Sequence, residues 1–327
     1  LTGERKVEME KKNTENGQDM MIRTLLPGDA GMIAADWKKN FDSCFPMSVS
    51  KIQKKVFCAA DFEPKASFCL QDAAGKIQGC IAVKVSQNQK LYPDTAWITL
   101  LYVNPMFRQK GFGTRLINMS REYLLGKNIH MIFIGQDFLN LFSGIPAPDK
   151  AKEKFFEKVG FVLGEEEHFD LEADIICNEK IDRFDIAPFE PEFETACLER
   201  SEDQELLSFL HIQKSLPDRW EFEAAEYLKN VGAHDHIVVL KKRSSKEICG
   251  FCMLQVDQTG YGGLGPIGIA ESVRGKHVGD YMLRQSLCQL RKLGAGRTCI
   301  DWTILRKFYG QFDFEPIRAF KAGYMEL

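Results

Sequence analysis

The sequence predicts an α/β protein of the α+β kind, with a mixed, mostly antiparallel sheet flanked by helices, written as two tandem copies of one domain. Three observations predict it. The chain has 327 residues, too long for one ordinary core and enough for two domains of ~150 residues each. An apolar strand, a Gly-containing turn, an amphipathic helix, a second strand and a second helix follow one another in the same order in each half. Each series is preceded by two apolar strands joined through a short polar turn.

The first nineteen residues, LTGERKVEMEKKNTENGQD, carry charge with no apolar stretch after it, so residues 1–20 read as a disordered polar tail. The first domain is expected over 21–176. ASFCLQD and KIQGCIAVKV form its hairpin, TAWITLLYV (95–103) leads into the turn NPMFRQKGFG, and TRLINMSREYLLG is the helix. Leu116, Met119 and Tyr123 share one helical face, and Gly126 closes the helix. IHMIFIG, the helical KAKEKFFEKVGF and EEHFDLEADI complete the copy. Residues 177–192, charged and punctuated by Pro188 and Pro191, read as a linker.

The second domain, 193–327, begins with amphipathic segments at Gln204–Gln213 and Trp220–Val231. HDHIVVLKK and EICGFCMLQVD are its hairpin, and GLGPIGIAE leads into SVRGKHVG. In the next helix Leu283, Leu287 and Leu290 share a face and Gly294 ends it, before RTCIDWT, ILRKFYGQFDF and PIRAFKAGYMEL.

A formal net charge of −3 argues against a nucleic-acid partner. No apolar run reaches the ~20 residues that span a bilayer, which argues against a membrane partner. The ten cysteines sit mostly in apolar segments without a secretory signal, which fits a reduced, cytoplasmic protein. No metal is expected. Cys249 and Cys252 are three apart on a strand and so face opposite ways, while His234 and His236 lack a third ligand and read as the exposed start of a strand.

The chemistry concentrates in the turn Arg108-Gln109-Lys110-Gly111-Phe112-Gly113-Thr114. Between a strand and a helix, glycines permit a tight turn and the first N–H groups of the helix converge on one point, a nest for a diphosphate. The spacing is not Gly-x-Gly-x-x-Gly, and paired strands precede it, so a dinucleotide fold fits poorly.

These residues, with Phe156-x-x-x-Gly160-Phe161 downstream, resemble the GNAT superfamily of acetyl-CoA-dependent N-acetyltransferases. Arg274-x-x-His277-x-Gly279 and Tyr309-x-x-x-Asp313-Phe314 resemble it in the second copy, so the chain looks like a tandem member with two acyl-CoA N-acyltransferase domains. The resemblance implies transfer of acetyl from acetyl-CoA to a primary amine of a small molecule or peptide by direct attack. It places the diphosphate on the amides from Gln109 to Thr114 and the pantetheine along Leu101, Tyr102 and Val103. A tyrosine in the penultimate helix commonly protonates the leaving thiolate. Tyr309 occupies that place in the second copy, although it also suits a buried helix face beside Phe308 and Phe312, whereas the first copy has Phe156.

The first loop is therefore expected to be the main acetyl-CoA binder and the second a degenerate one, because His277 stands where a glycine is expected. The alternative is an acyl-CoA-binding sensor or regulatory module with little turnover. The long connection QDFLNLFSGIPAP brings Phe138, Asn140, Phe142 and Ser143 either to an acceptor pocket or to domain packing. Asp94 and Asp137 are candidate bases in the first copy, and Glu271 and Asp301 lie near the matching strand ends of the second. A homodimer is compatible with the sequence.

Overall fold

The computed structural model describes residues 13–15, 18–41, 45–138 and 140–327. They form two compact units: residues up to Glu167 together with Phe320–Leu327, and His168–Ala319. The units are thus not the contiguous halves expected from the repeat. The end of the first copy belongs to unit 2 and the end of the second to unit 1.

Unit 1 begins with strands β1 (Asn13–Glu15) and β2 (Gln18–Thr24), which pair with each other, so the expected polar tail ends in a strand. Residues 1–12, 16 and 17 lie outside the described residues. Then come helices α1 (Ala30–Phe41) and α2 (Val49–Ile52), strands β3 (Phe68–Asp72), β4 (Ile77–Val85) and β5 (Thr95–Val103), helix α3 (Phe112–Leu125), strands β6 (Met131–Ile134) and β7 (Ile145–Ala147), and helix α4 (Lys150–Lys158). Strand β8 (Val162–Asp174) passes from unit 1 to unit 2 at Glu167.

β2, β3, β4 and β5 pair antiparallel in that order, and β5 pairs parallel with β6. Beyond β6 the sheet takes the chain's last residues, Tyr324 opposite Phe133. Period-two alternation divides the strands between two cores. Ile81, Val83, Ala96 and Ile98 pack with Leu116, Ile117 and Leu124 of α3, whereas Cys80, Ala82, Leu100 and Tyr102 pack with Ile33 and Trp37 of α1.

Unit 2 continues with helix α5 (Glu179–Asp182), strand β9 (Phe193–Cys197), helices α6 (Asp203–Ile212) and α7 (Asp218–Asn230), strands β10 (Ile237–Lys242), β11 (Ile248–Val256) and β12 (Tyr261–Ile269), and helix α8 (Val278–Lys292). Strand β13 (Arg297–Thr303), helix α9 (Arg306–Gly310) and strand β14 (Glu315–Glu326) follow, and β14 passes back to unit 1 at Phe320. β9, β10, β11 and β12 pair antiparallel, β12 pairs parallel with β13, and β13 pairs antiparallel with the later part of β8. The expected linker is part of this unit: Ile181 is buried in its core, and the Asn178 amide donates to the Phe312 carbonyl at 2.9 Å.

The backbone records the repeat residue by residue. Positive φ recurs at Asp94 and Gly260, Gln109 and Gly275, Gly111 and His277, Asn128 and Gly294, and Gln136 and Trp302, each pair 166 residues apart. Gly160 and Asp313 form a sixth pair at a closer separation, because the connection after β6 is longer than the one after β13.

Phe320 and Met325 are almost fully buried in the segment that completes unit 1. Deleting Phe320–Leu327 should therefore lower hydrogen-exchange protection at Met131–Ile134 while leaving α8 protected. Equal protection of Met131–Ile134 in the full and shortened chains would show that the exchanged segment does not support unit 1.

Candidate functional site

The site is built where parallel pairing stops. β5 and β6 pair from Thr95 opposite Met131 to Ile98 opposite Ile134, and the Gly135 N–H still reaches the Ile98 carbonyl at 2.9 Å. At that point β5 carries a bulge: Ala82 faces Leu100 but Val83 faces Ile98, leaving Thr99 as the extra residue. Beyond it, the edge of β5 that faced β6 has no strand partner among the described residues.

Which residues present that edge follows from the antiparallel alternation. The Asn104 N–H donates to the Gln78 carbonyl at 2.7 Å, so Asn104, Tyr102 and Leu100 direct their backbone groups to β4. Leu101 and Val103 direct theirs to the open edge. Of the three strand residues expected along the cofactor, Leu101 and Val103 thus offer backbone bonds and Tyr102 does not. The Tyr102 side chain lies in the α1 core, where its hydroxyl donates to Asp36, and the Asn104 amide donates to the same carboxylate at 3.0 Å. Burial, reinforced by Asp36, pushes the Tyr102 hydroxyl far above the ordinary tyrosine range, and its proton is engaged by the Asp36 carboxylate.

The open edge leads into the loop. Arg108 folds back, donating from Nε to the Val103 carbonyl at 3.0 Å, with its guanidinium 5.3 Å from the Phe41 ring centroid. Gln109 (φ +61°) and Gly111 (φ +79°) take the left-handed conformation, and Gly111 caps α3, whose first N–H groups have no partner within the helix. Gly113 lies under Phe155 of α4: a Cβ there would stand 3.1 Å from the ring.

Unit 2 reproduces the frame. β12 and β13 pair only from Tyr261–Arg297 to Gly263–Cys299, and β12 bulges opposite Met253. The Ala270 N–H donates to the Cys249 carbonyl at 2.8 Å, so Ile267 and Ile269 face the open edge. Arg274 donates to the Ile269 carbonyl at 3.3 Å, as Arg108 does to Val103. Gly275 (φ +79°) and His277 (φ +58°) repeat the left-handed pair. The expectation of a degenerate second loop therefore does not describe its backbone. Each loop places one glycine and one ordinary residue at its two left-handed positions, in opposite order. The His277 side chain is 82% exposed and bonds Asp280 at 2.7 Å, so it leaves the loop clear. A cavity of about 500 Å³ lies beside this loop, with Phe184, Phe189 and Phe193 opposite Lys276 and His277.

Beyond the strands the units differ. In unit 2, Tyr309 of α9 is buried, and a hydrogen bond joins its hydroxyl to that of Thr303 at the end of β13. Burial raises its pKa well above the ordinary value. In unit 1, Phe156 occupies the position of Tyr309, and Asp137 that of Thr303. Asp137 and Lys84 are fully buried and form an ion pair, with Asp61 at 3.8 Å from the same ammonium. Burial raises the Asp61 carboxyl, opposed by Lys84.

Other sequence candidates fall away from this frame. Phe142 stacks on Trp37 and Phe138 meets Tyr92 and Trp97, so both pack within unit 1. Asp94 lies at a turn where its carbonyl receives the His130 N–H, at the opposite end of β5 from the loop. Glu271 is exposed in the turn after β12. His234–His236 form a turn rather than the start of a strand, and His234 bonds Asp203 at 2.8 Å. No cluster of three metal-ligating side chains occurs among the described residues, and no helix there is long and apolar enough to cross a membrane.

The buried ion pair makes a stability prediction. Lys84→Met takes the cation from between two carboxylates and should cost about 3–5 kcal/mol in urea unfolding, while Lys84→Met with Asp137→Leu should recover a large part. A single variant as stable as the parent would contradict this account.

The Acetyltransferase (GNAT) family model matches residues 34–161 and 199–314, one stretch for each loop. A search of curated proteins found no match. Among solved structures, the chain is similar to a GCN5-related glucosamine N-acetyltransferase region of a fungal multi-domain β-N-acetylglucosaminidase (TM-score 0.81, 20% identity, 94% of this chain). It spans only 38% of that protein. It also resembles a GCN5-related N-acetyltransferase from Sphaerobacter thermophilus, with TM-score 0.70 and 14% identity over 94% of this chain and 95% of the other. A third likeness is to a tandem GNAT protein of the clavulanic acid biosynthesis pathway (TM-score 0.66, 13% identity, 94% and 98% covered). At these identities the structures establish the fold, and the family match covers more than half of the sequence: the chain belongs to the GNAT family of acetyltransferases, with a copy of the family's domain in each half.

Proposed function

We propose that the protein transfers the acetyl group of acetyl-CoA to a primary amine of a small molecule or peptide by direct attack. The observation that carries this reading is the open strand edge running into a left-handed loop and a helix start. An extended amide-bearing arm can pair with such an edge, and a diphosphate can rest on such a loop. In unit 1 the arm would lie along Leu101 and Val103, with the diphosphate on the N–H groups from Gln109 to Thr114. Arg108 holds the loop against the strand. Holding amine and thioester together supplies much of the rate.

Unit 2 offers the same frame at Ile267, Ile269 and Arg274–Gly279, together with a proton donor. Tyr309, bonded to Thr303 beyond the last β12–β13 pair, would protonate the departing thiolate, a reading that its place in the penultimate helix supports. A second reading applies to unit 1: binding of acyl-CoA with little turnover is favoured there, because Phe156 cannot donate and Asp137 is engaged by Lys84. The acceptor, a cytoplasmic location and a homodimer remain parts of this proposal.

Acetyl-CoA titration by calorimetry, paired with thiol release from a panel of primary amines, tests it. The parent protein should bind acetyl-CoA and release thiol with at least one amine. Gly113→Leu should abolish binding at unit 1, since even a Cβ at that position crowds Phe155. Tyr309→Phe should slow turnover by roughly 100-fold with affinity unchanged. Tight binding with no thiol release from any amine would turn the protein into the sensor.

A further inference from the structure

Three consecutive residues at the end of β13 draw together groups from separate elements. Thr303 bonds the Tyr309 hydroxyl from α9. Trp302, held at φ +50°, lies under the Arg219 guanidinium of α7, 4.9 Å from ring centroid to charge. Arg219 in turn donates to Glu223, one turn along α7, from Nε at 3.0 Å and from Nη2 at 2.6 Å. Both bonds go to Oε1. Asp301, the third residue, acts electrostatically on Glu223 and on Tyr309 alike. β12 and β13 have already parted two residues before Asp301, so Trp302, with Arg219 above it and Glu223 bonded to that arginine, stands beyond the last paired residues.

We propose that Glu223 is the group that receives the acceptor amine's proton in unit 2. This rests on the acetyl-transfer reading above and extends it to a residue and a unit. Arg219 fixes Oε1 and the side chain's orientation, which leaves Oε2 to take the proton. The amine nitrogen bonds to the thioester carbonyl carbon as its N–H proton passes to Oε2. The C–S bond then breaks and the sulfur takes a proton from Tyr309. Return of the Glu223 proton to Tyr309 through solvent restores both groups, leaving an amide and a free thiol. The surroundings of the carboxyl favour this role. Burial raises Glu223 above its ordinary range, Arg219 opposes this, and Asp301 adds to it. A carboxylate made more basic in this way accepts a proton closer to neutral pH.

Glu223→Gln keeps the shape and the bond from Arg219 but cannot accept the proton. With acetyl-CoA and an amine that the parent protein acetylates, kcat/KM should fall by roughly 10²- to 10⁴-fold, with acetyl-CoA affinity and melting temperature close to those of the parent. Glu223→Asp should recover part of the rate, and the acidic limb of its pH profile should shift relative to the parent. If the glutamine variant matches the parent in rate and pH profile, the proposal is overturned and turnover belongs elsewhere. Thiol release that is absent from the parent itself would instead overturn the acetyl-transfer reading, and this inference with it. If the glutamine variant melts early, the aspartate variant decides: an unshifted acidic limb counts against Glu223.

Discussion

The structure depends on one event that happens twice: a parallel strand pair that stops pairing partway along its length. A bulge at Thr99 turns β5 away from β6, and the matching bulge opposite Met253 turns β12 from β13. Backbone groups left without partners on a strand edge are ordinarily a liability. Here they are the feature proposed to bind acetyl-CoA, because the same strand runs through the loop into a helix whose first N–H groups have no partner within that helix. One arginine in each unit ties the two together by bonding the last carbonyl of the open edge. Register, loop and helix start are therefore a single construction. A residue that disturbs one of them moves the other two.

On that shared frame the units have taken different chemistry at corresponding positions. The end of the strand beyond the opening is Asp137 in one and Thr303 in the other. Asp137 is drawn into a buried pair with Lys84, whereas Thr303 holds the hydroxyl of Tyr309. Tyr102, filling the α1 core and bonded to Asp36, corresponds to Gly268. At Gly268 the absent side chain gives room to Leu216 and Trp220, which a Cβ would meet at 2.9 and 3.0 Å. Unit 1 fills the face beside its opening with aromatics and a buried charge cluster, and unit 2 leaves there a carboxylate, an arginine and an indole.

Much of this was legible in the sequence. Apolar periodicity located the strands and helices, and the repeated order of elements revealed the duplication, because both depend on local pattern. The two loops were legible in position but not in quality. Counting glycines ranked the first above the second, yet the left-handed positions tolerate Gln109 in one loop and His277 in the other. A glycine is sufficient for such a conformation, not required by it. The exchanged chain ends left no local trace, since a strand of given polarity pairs equally well in either unit. Glu223 was hidden for a related reason: on the sequence it is one more charge on an amphipathic helix, and only the packing of α7 on the end of β13 sets it apart.

The charge cluster of unit 1 shows how far stability alone explains such a site. Burying a lysine with two carboxylates costs desolvation, and apolar residues of similar volume would commonly hold a core together as well or better. Its contribution is positional. Lys84 sits in mid-sheet and Asp137 in the connection after β6, so their pairing fixes where that connection leaves the strand. In unit 2 the short turn into α9 achieves the same with Thr303, which accepts the Leu305 N–H at 3.0 Å and bonds Tyr309. In the longer connection of unit 1 the ion pair takes this part, and in a low-dielectric interior it is strong and directional enough to do so. The same position thus anchors the exit from the opening in both units. Only in unit 2 does the anchor also carry a group that can give up a proton.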